Sequence, residues 1–410
     1  MRSPKFIFSI LVAISAVAAP NLAPLNAAPQ QSDNQGSIET ASGTRKYQEF
    51  RDYVILEDGR KIWVEAEILD PSRPTKMIYN GLTNSATMSF RALSDAFRRK
   101  GYNVIRFDFP GQAKTLLADQ NLKGDYGYMA QVKTVVSLVP RLLKKFNLKG
   151  DLDALGQSYG GGILAAVAAF EPAFVDKYFH SLTAFAPYTE PMREQDESIH
   201  REMDLWKKLN PGVPFDDAKL YDMIFYRTVV STYWYIEPEI NGHTPLETAL
   251  FLDGVYELAK GLRPFTATNW LQNLPNLPIN VVMADNDQYI PGDVIPKYWN
   301  LLPKKHRGYF ANMMGVEHKM LQVAPLASAD LEDLMANPVF NQLPAGASFE
   351  LYLSTYRINY GSERFKLNEL ISPVDKGTFN FRTQASLARS QAKSTFTKLT
   401  CNQLFSGAQN

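Results

Sequence analysis

The sequence predicts an α/β protein: a mostly parallel sheet covered by helices on both faces, opened by an antiparallel hairpin and interrupted once by a helical insertion. Three observations carry that expectation. Short apolar runs alternate with longer stretches of helical spacing from about residue 76 to residue 335. Asp58-Gly59 separates two β-rich runs near the start, which is a hairpin signal. From about Glu190 to Gln272 the alternation stops and the pattern stays helical.

Taken in order, Tyr53 to Leu56 and Lys61 to Leu69 are the two arms of the hairpin. Lys76 to Tyr79 is a short strand ending at Asn80-Gly81-Leu82-Thr83-Asn84-Ser85, and Ser89 to Lys100 is a helix stopped by Gly101. Tyr102 to Phe107 is the next strand, broken at Asp108-Phe109-Pro110-Gly111. A long helix from Tyr128 to Phe146 leads into a strand before Ser158. Strands follow at Thr183 to Ala186, Asn280 to Ala284 and Tyr309 to Met313, the last convincing one. The insertion holds Leu205, Trp206, Leu209, Tyr221, Ile224, Phe225, Tyr233, Trp234 and Tyr235, which read mainly as packing residues of a cap. Beyond Leu321, Asp330 to Met335 is helical, Pro338 ends that helix, and Phe349 to Asn359 alternates like a strand.

The chemistry centres on Leu155-Gly156-Gln157-Ser158-Tyr159-Gly160-Gly161-Gly162, a G-x-S-x-G turn set between an apolar strand and an alanine-rich helix. A turn that sharp strains the serine backbone and leaves room only for glycine two residues to either side. It lifts the Ser158 hydroxyl clear of the sheet and aims a helix N-terminus at the same point. A serine hydroxyl is a weak nucleophile and needs a base, usually a histidine held by a carboxylate. Five histidines are available. His180 and His306 precede strands, and His200 and His243 lie in the insertion. Only His318 follows a strand, at the carboxyl edge where functional groups of such sheets collect.

For the carboxylate, the Asn280 to Ala284 strand runs into Asp285-Asn286-Asp287. Asp287 lies further into the loop and is favoured over Asp285, with Glu190 a more distant third. Donors for a developing oxyanion are expected from the backbone N–H of Tyr159 and from Leu82.

These segments resemble the α/β-hydrolases, in the large capped serine hydrolase group that includes esterases, lipases, lactonases and prolyl aminopeptidases. The resemblance rests on Asn80-Gly81-Leu82, Asp108 to Gly111, Gly156 to Gly161, Ala284 to Pro291 and His318, in the family's order, over roughly residues 50 to 330. It implies an eight-stranded sheet, a Ser158/Asp287/His318 triad and a two-step acyl-enzyme mechanism without cofactor. Asn80 stands where the family usually has histidine, and Ala113 replaces a family glycine. A serine at the elbow argues against dehalogenases and epoxide hydrolases, which use aspartate there. The expected activity is hydrolysis of a carboxylic ester of a small molecule or a lipid, a lactone included. A prolyl aminopeptidase-like peptidase, with Glu194, Asp196 and Glu197 holding the substrate amine, is one alternative. A catalytically silent lipid-binding protein on the same fold is another.

Composition bounds the rest. The 410-residue chain is ordinary in hydrophobic and charged content, and a net charge of +1 gives no footprint for nucleic acid. A basic opening, an apolar run from Phe6 to Ala19 and an Ala16-Val17-Ala18 site read as a secretory signal. The run is short for a membrane span, so export to the periplasm or medium is expected, with an uncleaved anchor the lesser alternative. The single cysteine, Cys401, permits no internal disulfide, and no Cys/His cluster has metal spacing. The expected organisation is a signal peptide at 1–28, a disordered lead-in at 29–44, core at 45–189 and 273–335, a helical cap at 190–272 and an extension at 336–410.

Overall fold

In the computed structural model the alternating runs become, among the described residues, one twelve-stranded sheet. Described are residues 34–366, apart from 41–42, 120–124, 191–192, 234–244, 288, 337–345, 354–356 and 361–362. The expected signal peptide, the lead-in up to residue 33, Trp234, Tyr235, His243 and Cys401 lie outside them.

The strands are β1 (Asn34–Thr40), β2 (Gly43–Ile55), β3 (Lys61–Ile68), β4 (Thr75–Tyr79), β5 (Asn103–Phe107), β6 (Leu152–Gln157), β7 (Phe179–Phe185), β8 (Ile279–Asn286), β9 (Arg307–Glu317), β10 (Ser348–Tyr352), β11 (Arg357–Tyr360) and β12 (Glu363–Lys366). Their spatial order is β1-β2-β3-β5-β4-β6-β7-β8-β9-β10-β11-β12. The stretch β2 to β9 supplies the eight strands expected, antiparallel where β2 and β3 enter and parallel from β5 onward. The eight-stranded expectation is corrected at both edges. Asn34–Thr40, expected in a disordered lead-in, pairs antiparallel with β2, and β10 to β12 extend the far side beyond β9. Edge strands borrow their order from a partner distant in sequence, so local pattern says little about them. The run expected as one strand from Phe349 to Asn359 contributes instead to two antiparallel strands, β10 and β11.

The described α-helices are α1 (Arg91–Lys100), α2 (Ala113–Asp119), α3 (Tyr128–Phe146), α4 (Tyr159–Phe170), α5 (Pro172–Tyr178), α6 (Arg193–Leu209), α7 (Asp217–Tyr233), α8 (Pro245–Leu262), α9 (Val294–Leu301), α10 (Met320–Val323) and α11 (Pro325–Ala336). Gly101 ends α1 in the left-handed region at φ 96°, with its N–H on Arg98 and Phe97 carbonyls. The short α2 and α5 were not expected, because seven residues give too few turns for a periodicity to show.

Helix α4 is apolar all round and buried all round, as a helix enclosed by sheet and neighbours must be. Helices α6, α7 and α8 pack a core of their own around Ile199, Met203, Leu220, Ile224, Phe225 and Val255. Each fully buried Leu, Ile or Phe of such a cluster contributes roughly 1.5–3 kcal/mol. Leu82 and Tyr188 pack against the same cluster, so this helical layer covers the carboxyl edge of the sheet.

At the opposite edge a buried ion cluster clasps strands to helix. The Lys76 ammonium lies 2.8 Å from Asp153 and 2.6 Å from Glu332, above the Tyr102 ring at 4.2 Å. Charges out of water are costly unless they are paired, and here the pairing joins β4, β6 and α11. Burial pushes the Glu332 carboxyl up to about 7, with Lys76 opposing that rise. Burial would also raise Asp153, yet Lys76 together with hydrogen bonds from His180, Lys76 and Ser181 holds it well below the usual carboxylate range.

Candidate active site

Strand β4 pairs with β5 on one side and β6 on the other, so the connections leave in opposite directions and open a crevice beyond the carboxyl ends of β4 and β6. Tyr79 and Gly156 are register partners, which brings Asn80 and Gln157 out of the sheet side by side. Ser158, Leu82 and His318 meet at that crevice.

Ser158 has φ 55° and ψ −115°, a region L-residues rarely enter. The surroundings hold it there. Its N–H donates to the Phe185 carbonyl at 2.9 Å, and its carbonyl accepts the N–H groups of Gly162 at 2.9 Å and Tyr188 at 3.0 Å. The flanking glycines are required by contact. A Cβ on Gly156 would lie 2.6 Å from Gly160 backbone, and one on Gly160 would lie 2.4 Å from the Tyr79 carbonyl oxygen.

His318 sits one residue past β9, and its Nδ1 lies 2.7 Å from Asp287 Oδ2, with both side chains nearly excluded from solvent. Asp287 Oδ1 accepts the N–H groups of Tyr289 and Ile290, each at 2.9 Å, which fixes the carboxylate plane. The Tyr289 ring stands edge-on to the imidazole at 5.0 Å. Of the two aspartates weighed, Asp285 takes another position. Its Oδ1 accepts Gly315 N–H at 2.6 Å and Val316 N–H at 3.2 Å, tying the end of β8 to β9 just ahead of His318. Glu190 pairs with Lys297. His180 bonds Asp153 at the other edge of the sheet, at 2.9 Å. His306 is buried before β9, and His200 lies on α6 bonded to the Asp196 carbonyl.

Ser158, His318 and Leu82 line one small cavity, together with Gln157, Tyr289 and Asn84. Leu82 occupies a turn closed by Asn84 N–H on the Gly81 carbonyl at 3.2 Å. Tyr159 opens α4, so its N–H belongs to a first helical turn without intrahelical acceptors. The Tyr159 side chain is buried edge-on against Phe109, leaving only its backbone beside the serine.

Three further residues support the turn that carries Leu82. Gln112 Nε2 donates to the Gly81 carbonyl at 2.6 Å and to that of Leu82 at 3.4 Å, while its Oε1 accepts Phe109 N–H at 3.0 Å. Asn80 Nδ2 donates to the Phe107 carbonyl at 2.7 Å and to Asp108 Oδ1 at 3.2 Å, so this substitute for the family histidine ties β4 to β5. Asp108 also accepts the N–H groups of Ala86 and Lys114. Burial pushes the Asp108 carboxyl up to about 7, against the pull of those two N–H groups. Ala113, where the family has glycine, keeps a positive φ of 34°. Polar residues after a strand were the only sequence signal for this support, and partners cannot be read from position alone.

Beside this cavity lies a larger one of about 180 Å³, bounded by Leu82, Met88, Leu117, Phe251 and Val255, with Lys114 and Glu247 among the remaining lining residues. It spans the loop after β4, the start of α2 and helix α8 of the covering layer.

A serine on a strained strand-to-helix turn, which lines one cavity with a carboxylate-paired histidine at the switch point of a mostly parallel sheet, defines an α/β protein built around a G-x-S-x-G turn. The particular family follows from the sequence itself. Residues 77–312, more than half of the chain, match the family model described as alpha/beta hydrolase fold, and the chain belongs to that family. Membership supports hydrolase activity in general.

Among solved structures the chain is similar to MGS-M2, an alpha/beta hydrolase enzyme from a Medee basin deep-sea metagenome library, at 17% identity over 72% of this chain and 98% of that one, TM-score 0.49. It is similar to a membrane phospholipase A, a bacterial virulence factor, at 16% identity over 71% and 86%, TM-score 0.48. A thermophilic esterase from Thermogutta terrifontis is 17% identical over 70% and 98%, TM-score 0.47. No match was found among curated proteins.

Proposed function

We propose that the chain is a serine hydrolase of carboxylic esters, with Ser158 as nucleophile, His318 as general base and acid, and Asp287 as the carboxylate that orients the histidine. The observation that carries this reading is the buried 2.7 Å contact between His318 Nδ1 and Asp287 Oδ2, on a histidine that lines one cavity with Ser158. With Nδ1–H donated to the carboxylate, Nε2 is the nitrogen left to take the serine proton. Ser158 then attacks the ester carbonyl, and the oxyanion is met by the N–H groups of Tyr159 and Leu82. The alcohol leaves with the proton from His318. Water, deprotonated by the same imidazole, releases the acid.

The apolar cavity of about 180 Å³ suits the ester's apolar part. For comparison, an engineered apolar cavity of roughly 150 Å³ accepts benzene, so a phenyl group or a chain of roughly four to six carbons is the expected fit. An aminopeptidase would need carboxylates disposed toward a substrate amine. The Glu194 side chain lies outside the described ones. Asp196 is bonded by Tyr221 and lies 3.2 Å from Arg263, and Glu197 is mostly exposed beside Arg201, so the ester reading is preferred. Export, as the opening sequence suggests, places the activity outside the cytoplasm. Among the described residues no helix is long and apolar enough to cross a membrane.

The test is covalent labelling by a fluorophosphonate together with turnover of a short-to-long acyl ester panel, on wild type and Ser158→Ala. Labelling and turnover by wild type alone are expected. A wild-type protein that neither labels nor hydrolyses any ester would overturn the proposal.

A further inference from the structure

Gln157 stands next to Ser158, yet the mechanism above gives it no task. It ends β6 and is 2% exposed, and its side chain leaves the elbow for the chain just behind the histidine. Gln157 Oε1 accepts the N–H of Leu321 at 3.1 Å, and its Nε2 donates to Gln322 Oε1 at 3.1 Å. Leu321 is the second residue of α10, where an N–H has no acceptor within its own helix. The elbow therefore supplies a partner that the helix lacks.

The same stretch is held from its other side. Asp285 fixes Gly315 and Val316 ahead of His318, and Gln157 fixes Leu321 after it. Asp287 then sets the imidazole plane. Of these three side chains, only Gln157 comes from the strand that carries Ser158.

We infer that Gln157 is a positioning residue, a strut that sets the separation between Ser158 Oγ and His318 Nε2 by tying the elbow to the chain behind the histidine. This rests on the proposed ester hydrolase reading and adds to it. A misplacement of about 1 Å in a reacting pair can cost roughly 10²-fold in rate, whereas leaving the Leu321 N–H without its acceptor costs about 1–3 kcal/mol of stability, a few degrees of melting in a chain this long. The two readouts therefore separate a strut from a simple packing residue.

The experiment compares the full chain with Gln157→Leu and Gln157→Glu by four measurements: fluorophosphonate labelling rate, kcat and KM on a soluble ester, melting temperature, and the low-field proton resonance of the His318–Asp287 hydrogen bond. Gln157→Leu keeps the volume and loses both bonds. It is expected to slow labelling and kcat by roughly ten- to a hundredfold, with KM within about threefold. Melting is expected within a few degrees of wild type, and the His318 resonance to shift or broaden. Gln157→Glu keeps an acceptor for Leu321, with the Gln322 amide turned to donate, and is expected to recover most of the rate. Wild-type kcat and labelling in Gln157→Leu, or a loss matched by the unfolded fraction alone, would overturn the strut while leaving the ester reading intact. If wild type itself shows no labelling and no turnover, the activity falls separately. The resonance then decides the strut, and an unchanged His318 signal in Gln157→Leu would end it.

Discussion

Replacing Asp287 by asparagine separates the chemistry of the proposed triad from its architecture. Asp287 Oδ1 accepts two backbone N–H groups, from Tyr289 and Ile290, and an asparagine carbonyl can keep both. The second oxygen, 2.7 Å from His318 Nδ1, becomes an NH₂ group. That group is a donor, so the imidazole must present Nδ1 as an acceptor and carry its proton on Nε2. A protonated Nε2 cannot take the serine proton, and the fold is left in place with the wrong tautomer. The expected loss in kcat is about 10⁴-fold, which corresponds to roughly 5.5 kcal/mol of transition-state stabilisation. Stability is expected to fall by only about 1.5–3 kcal/mol, the value of one hydrogen bond to a charged group. Steady-state hydrolysis of a chromogenic ester gives the first figure and urea unfolding the second. Asp285→Asn is the internal control, because Asp285 bonds only backbone N–H groups through an oxygen that asparagine retains, and near wild-type kcat is expected. An Asp287→Asn enzyme with more than about a tenth of wild-type kcat, or an Asp285→Asn enzyme with the larger loss, would refute the assignment of the acid.

Two other outcomes follow from the surroundings. Leu117 lines the apolar cavity from α2, and Leu117→Trp should fill space that an acyl chain would use. Excluding about two methylenes forfeits roughly 1.6 kcal/mol. Thus kcat/KM on butyrate to hexanoate or benzoate esters should drop more than tenfold while acetate stays within about twofold; an unchanged chain-length profile would show that the acyl group lies elsewhere. At the far edge, the hydrogen bond to Asp153 raises the pKa of His180 above its ordinary 6.5. The folded value is the higher one, so the stabilisation is fully present below pH 6.5 and fades as pH rises through the raised value. Urea unfolding across pH 5.5 to 8.5 should show that decline in wild type and a flatter profile in His180→Gln, and identical slopes would dismiss the pair as a source of pH dependence.

What the sequence determined about this protein was local or ordinal. Gly156 and Gly160 were legible because the G-x-S-x-G spacing marks the turn; the contact that excludes a Cβ is local at Gly156, with Gly160, whereas at Gly160 it comes from the Tyr79 carbonyl of a neighbouring strand. His318 was legible because, among five histidines, it alone follows a strand, and parallel sheets gather function at that edge. The eight central strands were legible for the same reason, since each carries its own apolar pattern.

Tertiary structure decided what depends on a distant partner. Asp285 and Asp287 are two residues apart with the same chemistry, and only the path of β9 makes one a backbone clamp and the other the histidine's partner. Asn34–Thr40 has little apolar alternation and becomes a strand because β2 offers it a ladder of backbone partners. Gln112 and Gln157 carry no pattern at all. Each acquires a role only when folding brings a carbonyl or an N–H from elsewhere in the chain within about 3 Å, because a hydrogen bond is a property of two groups and a sequence position specifies one.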